Sequence, residues 1–423
     1  MSDALAARSA ISGAGQSAAG RPGLDFRRMA LLAGGTLGTF AGSTSTVTIP
    51  LGVMLVPIAT SFGWSRTTVA TAFLAQTLSQ ALCFPLAGWL ADRFGTRACL
   101  LFGFAALGVT LFAIAASPAS PWAFYGLFAL SGVGGVLAST MVIAKLVAEW
   151  FTERRGFWLG LVGGVGNGLG GMVMPAVSGL LVVALGWRHS FALIGLFVLV
   201  CALPVAWASL RSPPGMEAGT RARWSEVPLA GHSFAEAMRS PLFWAIFSAV
   251  PLGGGALTGV FANTVTILGT QGLSAAGATL VVTLFALTCV IVEPLVGHIL
   301  DLAARPRRAA FFYVLAIVGL LILAHAHTLP VAIAGGVLTG MGLGVEFSVL
   351  PYLLSRYFGL RDLGAICGVA YTGALIANGV SPVALNAAYD HFGSYVLGIY
   401  AIAVMMVYAL VVFVLLPRFD RAH

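Results

Sequence analysis

Charge is scarce in this chain. Lys and Arg number 22 and Asp and Glu 14 among 423 residues, so charged residues make up 9%, against about 25% in soluble domains. Set beside 59% hydrophobic residues, that deficit excludes a soluble globular protein, because one core could not bury so much apolar surface. Cysteine is sparse too. Cys83, Cys99, Cys201, Cys289 and Cys367 stand singly in apolar runs, without metal-ligand or redox spacing, and read as small packing residues. No nucleophile–base set or metal cluster is visible, which argues against an enzyme, and neither a metal nor a cofactor is implied. No short apolar core with a cleavage site precedes Met29, so a signal peptide is not expected, and residues 1–28 read as a disordered cytoplasmic tail.

Long apolar runs and glycine are what the chain has in excess. A membrane span needs about 20 mostly apolar residues, and such runs lie near 29–60, 67–91, 97–117, 121–151, 156–184 and 189–210. After a polar stretch, six more lie near 241–269, 274–300, 309–327, 329–358, 364–389 and 395–416. The 53 glycines suit close helix–helix approach in a bilayer. The expected fold is therefore an all-α integral membrane protein of twelve helices. Its parts are an N-terminal six-helix bundle (29–210), a cytoplasmic linker (211–239), a C-terminal bundle (240–417) and a short cytoplasmic tail (418–423).

A net charge of +8 invites a nucleic-acid partner, but the basic residues sit at the ends of apolar runs, where a bilayer explains them. With the N-terminus in the cytoplasm, 19 of the 22 Lys and Arg fall on the cytoplasmic side; Arg66 and Arg188 fall outside and Lys145 within a span. This skew places both termini in the cytoplasm and the chain in a plasma (bacterial inner) membrane.

Two charged stretches interrupt the apolar runs. They are Gly88-Trp-Leu-Ala-Asp92-Arg-Phe-Gly-Thr-Arg97 and Gly297-His-Ile-Leu-Asp301-Leu-Ala-Ala-Arg305-Pro-Arg-Arg308, 209 residues apart. Other landmarks recur at offsets of 207 to 209: Pro85 with Pro294, Trp150-Phe151 with Tyr357-Phe358, Arg154 with Arg361, and Pro175 with Pro382. The two bundles thus read as a duplicated six-helix unit.

These residues resemble the major facilitator superfamily, whose hallmark loop between the second and third helices runs close to Gly-x-Leu-Ala-Asp-Arg-x-Gly-x-Arg. Phe62-Gly-Trp-Ser-Arg66, Trp150-Phe-Thr-Glu-Arg-Arg-Gly156, Leu185-Gly-Trp-Arg188 and Tyr357-Phe-Gly-Leu-Arg361 are similar to its bacterial monocarboxylate-transporter and oxalate–formate-antiporter branch. The resemblance implies a secondary transporter in which two bundles rock about a central cavity. Carboxylate carriers of that branch place a basic residue in the first, eighth or eleventh helix. Those spans lack Lys and Arg here, and the eighth carries Glu293 instead.

A gate can be argued physically. Asp92 ends its own helix, where the backbone is already partly negative, so it suits another helix's N-terminus or the side chains of Arg93 and Arg97. Asp301 with Arg305, Arg307 and Arg308 repeats the device, and the alternative for both is a topological anchor in the headgroups. The resemblance adds Glu149, Arg154 and Arg155 to this cytoplasmic cluster. Lys145 is expected to pair with Glu149 four residues on, or to reach the headgroups.

Ionisable groups inside spans mark function by default. Glu346 lies 11 residues before Tyr357, about 16 Å from the helix end and near the midplane, and Glu293 lies about 12 Å in. The low dielectric there disfavours a charged carboxyl, which suits either residue to carry a proton. Thr44 in the first helix, Asn167 in the fifth, Asn263 in the seventh, and Tyr371 and Asn378 in the eleventh complete the candidate site. The leading reading is a proton-coupled transporter of a small organic solute, with monocarboxylates among the candidates, working as a monomer in the lipid bilayer. The alternatives are a proton antiporter exporting a neutral or cationic compound, and a sensor or scaffold that does not transport.

Overall fold

The computed structural model describes residues 25–213, 231–303 and 306–419; the expected tail over 1–24, the middle of the linker and the last four residues lie outside them. The first helix, α1 (Phe26–Phe62), already begins at Phe26. It is followed by α2 (Arg66–Phe94), α3 (Thr96–Ala115) and α4 (Pro121–Trp150). A helical stretch of 55 residues then runs from Arg155 to Ser209. Unbroken it would extend about 80 Å, far beyond a hydrocarbon core about 30 Å thick. Gly186 breaks it at φ 77°, a backbone value that costs glycine little, giving α5 (155–185) and α6 (187–209). The second half holds α7 (Pro241–Thr270), α8 (Ala275–Ala303), α9 (Ala310–Leu323), α10 (Leu329–Phe358), α11 (Leu363–Phe392) and α12 (Val396–Leu415). Among the described residues there is no strand, only an isolated pairing of Gly231 with Gly359.

Apolar residues point both inward and outward. Phe104, Phe124, Phe128 and Phe191 fill the first bundle, and Phe243, Phe285, Tyr313 and Phe413 the second. On α2, Leu74, Leu78, Leu82 and Leu86 recur every four residues and are 52–71% exposed. A soluble helix would bury such a stripe; here it faces lipid. This is a multi-pass membrane protein.

Duplication shows in the local geometry. α1 and α7 each widen by one π turn, at Thr44–Thr48 and Pro251–Gly255, 207 positions apart, and such turns collect at functional sites. Pro85 and Pro294 lie inside α2 and α8, and Pro175 and Pro382 inside α5 and α11. A proline removes one backbone hydrogen bond and lets each of these four helices bend, and Pro85 and Pro294 do so where the two bundles meet.

The bundles touch at the end that carries the linker. Towards the other end, six of the seven residues 171–177 on α5 are exposed. That is more than a lipid-facing side accounts for, so α5 also borders open space there. The space between the bundles is closed on the linker side and widens away from it.

Candidate functional site

The closure is built from two equivalent contacts. α2 presents Gly88 and Asp92, one turn apart and so on one face, to the start of α11. The Asp92 carboxylate accepts the backbone N–H groups of Gly364 (3.2 Å) and Ala365 (2.8 Å). α8 presents Gly297 and Asp301 to the start of α5 in the same way, and Asp301 accepts the N–H groups of Gly156 and Phe157, each at 2.9 Å. First-turn N–H groups have no partner within their own helix and carry its positive end, so a carboxylate satisfies both needs. Glycine is required one turn earlier because the backbones meet. A Cβ at Gly88 would lie 2.0 Å from the Gly364 carbonyl oxygen, and one at Gly297 1.9 Å from that of Gly156.

The two contacts differ in their third partner. Lys145 of α4, 97% buried, forms an ion pair with Asp92, in place of the expected pairing with Glu149 or the headgroups. Tyr352 of α10, 207 positions after Lys145, stands beside Asp301. The arginines expected beside Asp92 go elsewhere. Arg93 stacks on Trp89 and Phe94, and Arg97 donates to the Trp207 carbonyl at the end of α6 (2.9 Å). Arg154 starts α5 at a left-handed φ of 53°, and buried Arg155 donates to Phe151. Glu149 is half-buried at the end of α4, and Arg308 is exposed on the turn before α9. Arg305 lies outside the described residues.

The linker's end is fastened to the same region. The His232 N–H donates to Phe358 and the Phe234 N–H to the Asp362 carboxylate, both at 2.8 Å. Ser233 and Glu236 cap the helix Phe234–Arg239 reciprocally. The Ser233 N–H holds the Glu236 carboxyl below the usual carboxylate range.

Beyond the closure lies a cavity of about 180 Å³ between the bundles. Glu346 of α10 stands in its wall, 2% exposed, with neither carboxyl oxygen hydrogen-bonded. Its stem runs against Gly254 in the π turn of α7, where a Cβ would sit 2.5 Å from it. Phe84 and Tyr371 line the wall with rings stacked at 5.8 Å. Neutral polar groups supply the rest. Asn167 donates to Thr140 (3.1 Å), Gln80 to Ser43 (2.8 Å), and Asn378 accepts from Thr258 (3.0 Å), while Thr44 also borders the space. Among the described residues of the wall there is no Lys, Arg or His.

A family model described as Major Facilitator Superfamily matches residues 31–278 and 252–423. The chain belongs to the major facilitator superfamily. An MFS-type transporter of Escherichia coli K12, YhjX, is 26% identical over 311 residues, covering 72% of this chain and 75% of that one. The oxalate:formate antiporter of Oxalobacter formigenes is 30% identical over 198 residues, or 46% of this chain and 44% of that protein. Among solved structures, the E. coli fucose:proton symporter FucP superposes with a TM-score of 0.68 at 14% identity, covering 91% of this chain and 97% of that one. The human organic anion transporter MFSD10 gives 0.67 at 17%, covering 92% and 99%. At those identities the structures show the fold alone.

Within this superfamily fold the candidate residues separate. Glu346, Asn167, Tyr371, Asn378 and Thr44 share the cavity wall. Glu293 does not line it; its carboxyl is buried against Gly164 of α5, with one oxygen unbonded. Asn263 also turns away. Its amide donates to Gly259, and its oxygen accepts Asn386, which in turn meets Tyr395. Gln80, Ser139 and Phe84 join the wall unforeseen. A glutamine inside an apolar span was a usable signal for the first, whereas Ser139 and Phe84 have none in the sequence.

Proposed function

We propose that this protein is a secondary transporter that moves a small organic solute by alternating access, with protons as the coupling ion. The observation that carries the reading is Glu346, a carboxyl in the wall of the central cavity with both oxygens unbonded. A buried polar group without a partner is costly, and a site that exchanges protons gives it a use. The basic skew puts the linker side in the cytoplasm of a plasma membrane, so the closed end is the inner gate and the cavity faces outward. Asp92 and Asp301 act as the two latches of that gate, each released when its helix N-terminus is withdrawn. Cavity and latches come from one chain, so a monomer suffices.

A carboxylate cargo, which the name of the Oxalobacter relative suggests, finds no basic side chain in the cavity wall. The test is purified protein in liposomes under an imposed pH gradient, with a panel of labelled solutes. At least one solute moves with the gradient, and Glu346→Gln abolishes or uncouples that movement. Coupled transport unaltered in Glu346→Gln removes the residue from the mechanism.

A further inference from the structure

The chemistry of the cavity wall selects the cargo. Among the described residues that line it, Glu346 is the single acid, none is a base, and Phe84 and Tyr371 supply two aromatic rings. The Ser139 hydroxyl, 207 positions before Glu346 and so its counterpart in the repeat, also lines the cavity, buried and without a hydrogen-bond partner. An anion entering this space would meet a carboxyl and no basic partner among the described lining residues. An ammonium would meet a counter-ion, the aromatic side chains of Phe84 and Tyr371, and hydroxyl and amide oxygens that accept its N–H groups. At about 180 Å³ the cavity has room for a compact organic ion.

We infer that the cavity binds a small organic ammonium ion, seated on the Glu346 carboxylate against Phe84 and Tyr371, and that this ion and a proton compete for that carboxylate. Among the described residues, the other titratable groups within electrostatic reach of Glu346 are Glu293 on α8, Tyr313 on α9 and Tyr371 on α11. None of them is a cation, and Lys145, the buried base of α4, is committed to Asp92 at the gate. Glu346 is therefore vacated by its proton for the incoming cation and reprotonated when the cation leaves. Exchange across the membrane rests on the transport reading above; binding does not.

The experiment titrates purified full-length protein with ethanolamine, lactate and glycerol by calorimetry at a series of pH values. Ethanolamine is expected to bind with proton release, its affinity falling about tenfold for each unit of acidification once Glu346 is protonated. Glu346→Gln loses the binding and the pH dependence. Phe84→Leu, which keeps the carboxyl, weakens binding about three- to tenfold and guards against a merely misfolded Gln variant. Ethanolamine binding that is absent, or equal in Glu346→Gln, overturns the inference, as does tighter binding of lactate or glycerol. In liposomes, pH-driven lactate flux without ethanolamine binding would retain the transporter and discard the cation site. Ethanolamine bound but never exchanged for protons would retain the site and discard the transporter.

Discussion

Gly297→Ala isolates the inner closure from the cavity chemistry. Its Cβ would lie 1.9 Å from the Gly156 carbonyl oxygen and 2.7 Å from the Phe157 nitrogen. Both are backbone atoms that cannot rotate aside, so α8 and α5 have to part by at least about 1 Å in a close-packed seam. The two N–H bonds to Asp301, at 2.9 Å, would stretch past useful length. A hydrogen bond to a charged group contributes about 1.5–3 kcal/mol. Losing one or both should move the equilibrium between closed and open inner faces by about 1.5–6 kcal/mol, a factor of about 10 to 10,000. The variant's helix gains slightly from Ala over Gly, so loss of fold does not explain the shift. The assay is spin-label distance measurement between the linker-side ends of α5 and α8 in detergent and nanodiscs. The distribution should gain a longer component in Gly297→Ala, and Asp301→Asn added to it should cost less than it does alone, because the same bonds are already gone. A distribution identical to the parent's would refute the idea that backbone contact and carboxylate form one latch.

Lys145→Met leaves the Asp92 carboxylate without its cation in a largely buried position, and should destabilise the protein by about 3–5 kcal/mol in thermal unfolding; Asp92→Asn added to it should recover part of that loss. At the linker, Glu236 has its carboxyl held below its usual range by the Ser233 N–H. The fastening it provides is therefore present above the ordinary carboxylate range and lost as pH falls through the depressed value. The protection of amides 232–237 against hydrogen exchange, taken relative to the intrinsic rate at each pH, should fall over that acidic interval, and in Glu236→Gln the pH dependence of the protection should disappear.

The spans were legible because the bilayer imposes one long-wavelength signal, about 20 apolar residues per crossing; the run over 121–151 became Pro121–Trp150. The repeat was legible because its markers are rare residue types at a fixed offset. Partners were not legible. Asp92 meets Gly364, 272 positions away, and nothing in the spacing of Asp92, Arg93 and Arg97 says that Lys145 takes the carboxylate while Arg93 stacks on aromatic rings and Arg97 reaches α6. Asn263 and Asn378 look alike in sequence, yet one reaches a neighbouring Asn and the other the cavity, since helix rotation within the bundle decides which face sees the space.

The sequence by itself determined the membrane, the number of crossings, their duplication and the Gly–Asp pairs one turn apart, since these follow from composition and period along one chain. Only the tertiary structure decided that each Asp rests on the bare N-terminus of a helix in the opposite half. It alone decided that Glu346 faces a cavity while Glu293 packs against glycine, and that among the described residues no base lines the wall beside the acid. Those outcomes depend on how two bundles meet, and contact across an interface leaves no period in the sequence.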